Sequence, residues 1–178
     1  SYSSVASSGP EIVKELLGLG YRVIYRPHPQ LGSRSSAAAD AHREVQRILG
    51  EAGGEHLVDT GGDFGWQFSA ADVVVADLSA VAFDALGHGL PLLIVEPTGH
   101  GAFVPSGSVL ESVPTLTPSM VDVGRAVEEA LSADAEAKRA VLAERYFGDI
   151  SDGAQLERFL RAVEHVVNRA PQHCGNLV

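Results

Sequence analysis

The chain has 178 residues, 45% hydrophobic and 20% charged, which suits one globular domain with a continuous core and not a disordered segment. Its formal net charge is −10, its only lysines are Lys14 and Lys138, and it has no polybasic run. That balance argues against holding nucleic acid by bulk electrostatics and gives no membrane-surface patch, yet it leaves room for one nucleotide held by a few backbone N–H groups. Cys174 is the single cysteine, so no intrachain disulfide can form, and no apolar stretch approaches the roughly 20 residues of a membrane span. The polar opening, Ser1 to Ser8, carries no signal-peptide pattern and no initiator Met, and it reads as a fragment or a processed chain.

The elements alternate between helix and strand. Pro10 to Leu19 reads as a helix, with Pro10 at the first position, Ile12, Val13, Leu16 and Leu17 on one face, and Gly18 and Gly20 as the stop. Tyr21 to Arg26 is a β-rich run. After a loop from Gly32 to Ser36, a helix runs to about Leu49 with Ala41, Val45, Ile48 and Leu49 inward, and Gly53 and Gly54 end it. Glu55 to Asp59 is a short strand, and Phe64 to Ala71 a short helix.

Asp72 to Asp77 is the clearest strand. Its interior does not alternate with polar residues, so it is expected at the sheet centre with both faces covered. Ser79 to His88 reads as a helix and Pro91 to Val95 as a second buried strand. Glu96 to Ser112 is a long loop, Val113 to Leu116 an edge strand, and Thr117-Pro118 the cap of a helix to Leu131. Two more helices follow, Asp134 to Tyr146 and Asp152 to about Arg169, the last with Leu156, Phe159, Leu160, Val163 and Val167 at helical spacing.

Strands separated by helices imply one α/β domain over residues 1–178: a parallel sheet, helices on both faces, and ligands beyond the C-terminal strand ends. The loops there begin at Arg26, Asp59, Ala76 and Val95.

In Arg26-Pro27-His28-Pro29 the prolines hold the loop extended, so that His28 either donates to a phosphate oxygen or merely caps a nearby carbonyl. In Asp77-Leu78-Ser79-Ala80 the unpaired N–H groups of the next helix make a phosphate site, to which Ser79 adds a donor unless it is only an N-cap. Asp84 is five residues beyond Ser79 and is placed to accept ribose hydroxyls or to orient a neighbour. Gly87, Gly89 and Pro91 read as turn chemistry, and Asp152 with Gln155 reads as a helix cap.

Glu96 and His100 sit on the long loop, and long loops are often functional. His42, His56, His165 and His173 look like surface residues. There is no Walker loop, no Gly-rich dinucleotide fingerprint, no zinc-ligand spacing and no Gly-x-Ser-x-Gly elbow, so neither metal nor cofactor is expected.

Taken together, Arg26-Pro27-His28-Pro29, Ala71 to Ser79, Phe83-Asp84, Gly89-Leu90-Pro91 and Tyr146 to Gly153 resemble the CDP-glycerol glycerophosphotransferase family, in order and spacing from Ser3 to about Val167. The resemblance implies a Rossmann-like domain, the C-terminal donor-binding half of a two-domain GT-B fold. A further strand ahead of Ser1 and an N-terminal domain would complete it.

It implies that His28 and Ser79 contact the donor phosphates, with Arg26, Asp77 and Glu96 beside them. Asp84 would face the ribose, and Asp152 and Gly153 would close the pocket. The implied partners are CDP-glycerol or another CDP-polyol and, through the missing domain, a lipid-linked acceptor. The implied setting is cytoplasmic, at the inner membrane face, in teichoic-acid-like polymer synthesis. His28 would be catalytic by offsetting charge on departing CMP, and this domain alone would bind without turnover.

Leu78 and Ala80 depart from the family's Tyr and second Ser, which puts donor preference in doubt. The Ala/Arg-rich composition resembles high-GC actinobacterial proteins. The competing readings are half of a UDP- or GDP-sugar glycosyltransferase or epimerase, and a non-catalytic domain that has lost its ligand.

Overall fold

Helices and strands alternate, and the strand ladders among the described residues are parallel, so the protein belongs to the α/β class. The computed structural model describes residues 4–33, 35–97, 109–117 and 122–169. In chain order the elements are α1 (Val5–Gly18), β1 (Ile24–Tyr25), α2 (Ser36–Ala52), β2 (Leu57–Val58), α3 (Trp66–Ala70), β3 (Val74–Asp77), α4 (Ala80–Gly87) and β4 (Leu92–Val95). A 3₁₀ turn (Val109–Glu111) leads to β5 (Thr115–Leu116), then α5 (Val123–Ala130), α6 (Ala133–Phe147) and α7 (Ala154–Arg169).

The expected single sheet is found as two ladders, β1-β2 and β3-β4-β5. Register runs Ile24 to Leu57 and Tyr25 to Val58 in one, and Val74 to Leu92 through Asp77 to Val95 in the other. The expectation that β3 lies at the sheet centre is corrected. β4 is the central strand, with all four residues at most 1% exposed, whereas every residue of β3 is only half-buried. An unbroken apolar run reports that both faces of a strand are covered; it says nothing about whether both edges are paired.

Three apolar clusters hold the layers together. Leu86, Leu92, Ile94 and Leu142 join α4, β4 and α6. Ile12, Leu93, Val95, Val123 and Val127 join α1, the same strand from its other face, and α5. Val13, Val23, Val45, Ile48 and Leu49 join α1, β1 and α2. α1 therefore covers both ladders, and its Leu16 packs against the second and third clusters alike.

Element boundaries differ from expectation where tertiary contacts decide. α1 begins at Val5, so Pro10 lies inside it and removes one intrahelical N–H donor. In α2 the buried residues are Ala38, Val45, Ile48 and Leu49, with Ala41 only half-buried. The cap expected at Thr117-Pro118 is replaced by Asp122, whose side chain accepts from the Arg125 N–H; Pro118 lies outside the described residues. The apolar face of α7 is exposed throughout, from Leu156 (62%) to Val167 (65%).

Gly32 takes a positive φ of +82° in the turn after His28, and a Cβ there would sit 2.9 Å from the Ala39 Cβ and 3.1 Å from its Cα. Gly20 has nearly the same φ, +85°, with no atom within 4 Å. A left-handed backbone costs a non-glycine residue roughly 1–2 kcal/mol. Gly20→Ala should lose about that much, and Gly32→Ala distinctly more, because Ala39 backbone cannot swing aside. Urea midpoints of the two variants measure the difference.

Candidate functional site

The C-terminal strand ends gather the polar residues. Asp77 ends β3, and its Oδ1 accepts from the Ser4 N–H at 2.9 Å, pinning the entry to α1. Tyr25 ends β1; its hydroxyl pairs with His42 Nδ1 at 3.0 Å, and burial together with the nearby Asp77 charge pushes its pKa up to about 12. The ends of β1 and β3 thus face the same edge of the molecule.

Arg26 is spent within the protein. Its guanidinium donates to Asp59 Oδ2 at 2.6 Å and to the carbonyls of Asp63 and Gly61, and it lies 5.2 Å over the Phe64 ring. Asp59 is buried and also accepts from Gln67 Nε2 at 2.5 Å and from the Gly61 N–H at 3.0 Å. These bonds, Gln67 first, then Gly61 and Arg26, hold the Asp59 carboxyl below its ordinary range. Arg26, Asp59 and Gln67 therefore brace the loop after β2. Sequence reading placed Asp59 at a loop start but had no signal for Gln67, since nothing in its local spacing marks a partner eight residues back.

A folded pKa below the unfolded value means that Asp59 stabilises the fold above about pH 4, and that this contribution is lost as pH falls through the folded value. Asp59→Asn should therefore be less stable than the native chain at pH 7, with the gap narrowing below about pH 4. Melting temperatures from pH 7 to 3 measure it, and a constant gap would contradict this role.

His28 is exposed, and its Nδ1 accepts from the Gln30 N–H at 3.1 Å. That bond leaves Nε2 as the ring nitrogen not engaged by the loop. Ser79 occupies the N-cap of α4 with extended backbone, yet its hydroxyl makes no capping bond and the residue is exposed. Ser79 thus holds the N-cap position expected of it, without a side-chain capping bond. Glu96, just past β4, accepts from the Thr115 hydroxyl at 2.6 Å and joins β4 to β5.

Asp84, Asp152 and Gly153 lie elsewhere, in an open cleft of about 790 Å³ whose walls include Phe64, Phe68, Phe83 and Phe147. Phe68 stacks on His88 with ring centroids 4.9 Å apart. The structure thus brings Asp84 to Asp152 and Gly153, while Arg26, His28, Asp77, Ser79 and Glu96 stay outside the cleft lining. Arg26 over Phe64 is the link between the two groups.

The capping role expected of Asp152 is not realised among the described residues. The Ala154 N–H donates to Ser151 O, and the Glu157 N–H to the carbonyl of Gly153, whose φ is +79°. Asp149 shapes that turn instead: it accepts from the Ser151 N–H at 2.9 Å, and Ser151, by side chain and backbone, lowers its pKa. His42 and His56 are structural rather than superficial, since His56 Nδ1 accepts from the Val23 N–H. His165 is exposed; His100, His173 and Cys174 lie outside the described residues.

No family model, curated protein or solved structure matches this chain. Among the described residues no group of three His, Cys, Asp or Glu side chains is placed to hold a metal ion, and no helix is long and apolar enough to cross a membrane.

Proposed function

We propose that this domain binds a cytidine diphosphate-linked polyol such as CDP-glycerol and forms the donor half of a GT-B polyol-phosphate transferase. The observation that carries the reading is Ser79: an exposed hydroxyl, free of capping, at the N-terminus of α4 and at the end of β3. A helix N-terminus offers unpaired N–H groups and positive potential to an anion, and a free hydroxyl adds a donor. His28 Nε2–H on the same edge supplies a second donor. The cleft suits the nucleoside end, with phenylalanine rings for the base and Asp84 and Asp152 as acceptors for ribose hydroxyls.

In the transfer, an acceptor hydroxyl oxygen forms a bond to the glycerol-bearing phosphorus. The phosphoanhydride P–O bond breaks, and CMP departs with the electron pair. The hydroxyl proton goes to a base outside this domain. In this reading His28 offsets charge on the departing phosphate, an electrostatic contribution. The full protein would then work on the cytoplasmic side of a membrane carrying its acceptor.

Melting temperatures with CMP, CDP-glycerol, UDP and GDP test the reading. A ligand at 100 times its Kd stabilises by roughly 2.7 kcal/mol. CMP and CDP-glycerol are expected to raise the melting temperature, with the CDP-glycerol shift reduced in Ser79→Ala and His28→Ala. A shift with UDP or GDP alone would replace the donor class, and no shift with any of the four would leave a domain without this ligand.

A further inference from the structure

The last helix is amphipathic, yet among the described residues nothing covers its apolar face. Leu156, Phe159, Leu160, Val163, Val166 and Val167 of α7 recur at helical spacing, and all six are between 42% and 67% exposed. No described residue of α7 is buried. A helix of 16 residues is marginal in water by itself, and helices draw most of their stability from packing such a face. α7 is tied at its root: Arg158 Nη2 donates to the Phe147 carbonyl at 2.6 Å, and the Glu157 N–H donates to that of Gly153.

We infer that a second copy of this chain covers that face, through parallel pairing of the two α7 helices about a two-fold axis. The charges beside the stripe select the occupant. Successive helical residues turn by about 100°, so the six apolar side chains fill a sector of about 120°. Glu157 and Glu164 border that sector on one flank, and Arg158 and Arg169 border it on the other. Arg161 stands at the back, where it pairs with Glu157. A two-fold axis parallel to the helix sets the acidic flank of each copy against the basic flank of its partner. An antiparallel pair would set acid against acid and base against base, so the face is self-complementary in one orientation alone. The six side chains leave on the order of 600 Å² open per copy, and a pair reaches the roughly 1,200 Å² at which stable interfaces begin. A bilayer fits less well: α7 mixes two glutamates with three arginines, and anionic lipid repels a chain of net charge −10. Residues 170–178 hold two large aliphatics, Leu177 and Val178, too few to cover the stripe. Leu156 also lines the cleft, so pairing would place the two clefts beside the interface.

Sedimentation of the full chain from the low micromolar to the submillimolar range tests the pairing. The native chain is expected to sediment as a dimer. Leu160→Glu should weaken that dimer roughly a hundredfold, because an unpaired carboxylate would enter an apolar interface. Val141→Glu, at an exposed position on α6 outside the stripe, should leave it unchanged. Orientation is read with Val166→Cys in a Cys174→Ser background. A parallel pair brings the two Val166 positions together and lets a disulfide form on oxidation, whereas antiparallel pairing about the middle of the stripe holds them about 14 Å apart. A monomer throughout the range would overturn the inference, as would a dimer indifferent to Leu160→Glu or equally lost in Val141→Glu. A dimer that fails to cross-link through Val166→Cys would overturn the parallel pairing. A monomer that floats with vesicles of phosphatidylcholine and phosphatidylglycerol would assign the face to a bilayer instead.

Discussion

Leu86→Ala is expected to destabilise the protein by about 3 kcal/mol, the middle of the range for truncating a buried leucine. Leu86 is fully buried on α4, and the residues around it, Leu92 and Ile94 of β4 and Leu142 of α6, are at most 3% exposed. A central strand cannot move inward without breaking register with β3 and β5, so the vacated volume stays as a cavity rather than closing. For a chain of this size the loss corresponds to a melting temperature lower by about 6–12 °C. Leu86→Met keeps the volume and should lose less than about 1.5 kcal/mol. Urea unfolding measures both; a Leu86→Ala loss below that of Leu86→Met would show that α4 does not pack on β4 as described.

Arg139→Ala is expected to cost about 2–4 kcal/mol, through a lost hydrogen bond to a buried carbonyl and a lost side-chain volume. Arg139 is 5% exposed, and its Nη1 donates at 2.5 Å to the carbonyl of Ala130, the last residue of α5. That carbonyl belongs to the helix end that has no intrahelical donor, and the guanidinium also meets the negative end of the helix dipole. The arrangement is imperfect, because Arg139 Nε is buried without a partner and burial lowers the pKa of the group. Arg139→Met keeps most of the volume and removes both the buried charge and the orphaned N–H, so it should lose less than half as much as Arg139→Ala. Thermal and urea unfolding of the two variants decide whether packing or the hydrogen bond dominates: equal losses would assign the role to the hydrogen bond.

The cleft and the strand edge differ in how far local sequence reveals them. His28 and Ser79 were legible because proline-held loops and strand-to-helix turns have local signatures. The bracing of Arg26 was not, because Asp59, Gly61 and Asp63 reach it from 33 to 37 residues away in the chain. The aromatic cleft was equally hidden: Phe64, Phe83 and Phe147 come from three elements with no common period.

By itself the sequence determined the α/β alternation, the parallel pairing, the type of each main element and the strand edge at which candidate ligand residues collect. Those features follow from periodicity, turn residues and the topology rules of crossover helices, all of which act over one or two elements. Only the tertiary structure decided that β4 rather than β3 is central, that Arg26 is committed to Asp59, that Asp149 rather than Asp152 shapes the turn before α7, and that the apolar face of α7 stands exposed. Each depends on which partner lies across space, and a side chain's partners are set by packing between elements that local pattern does not encode.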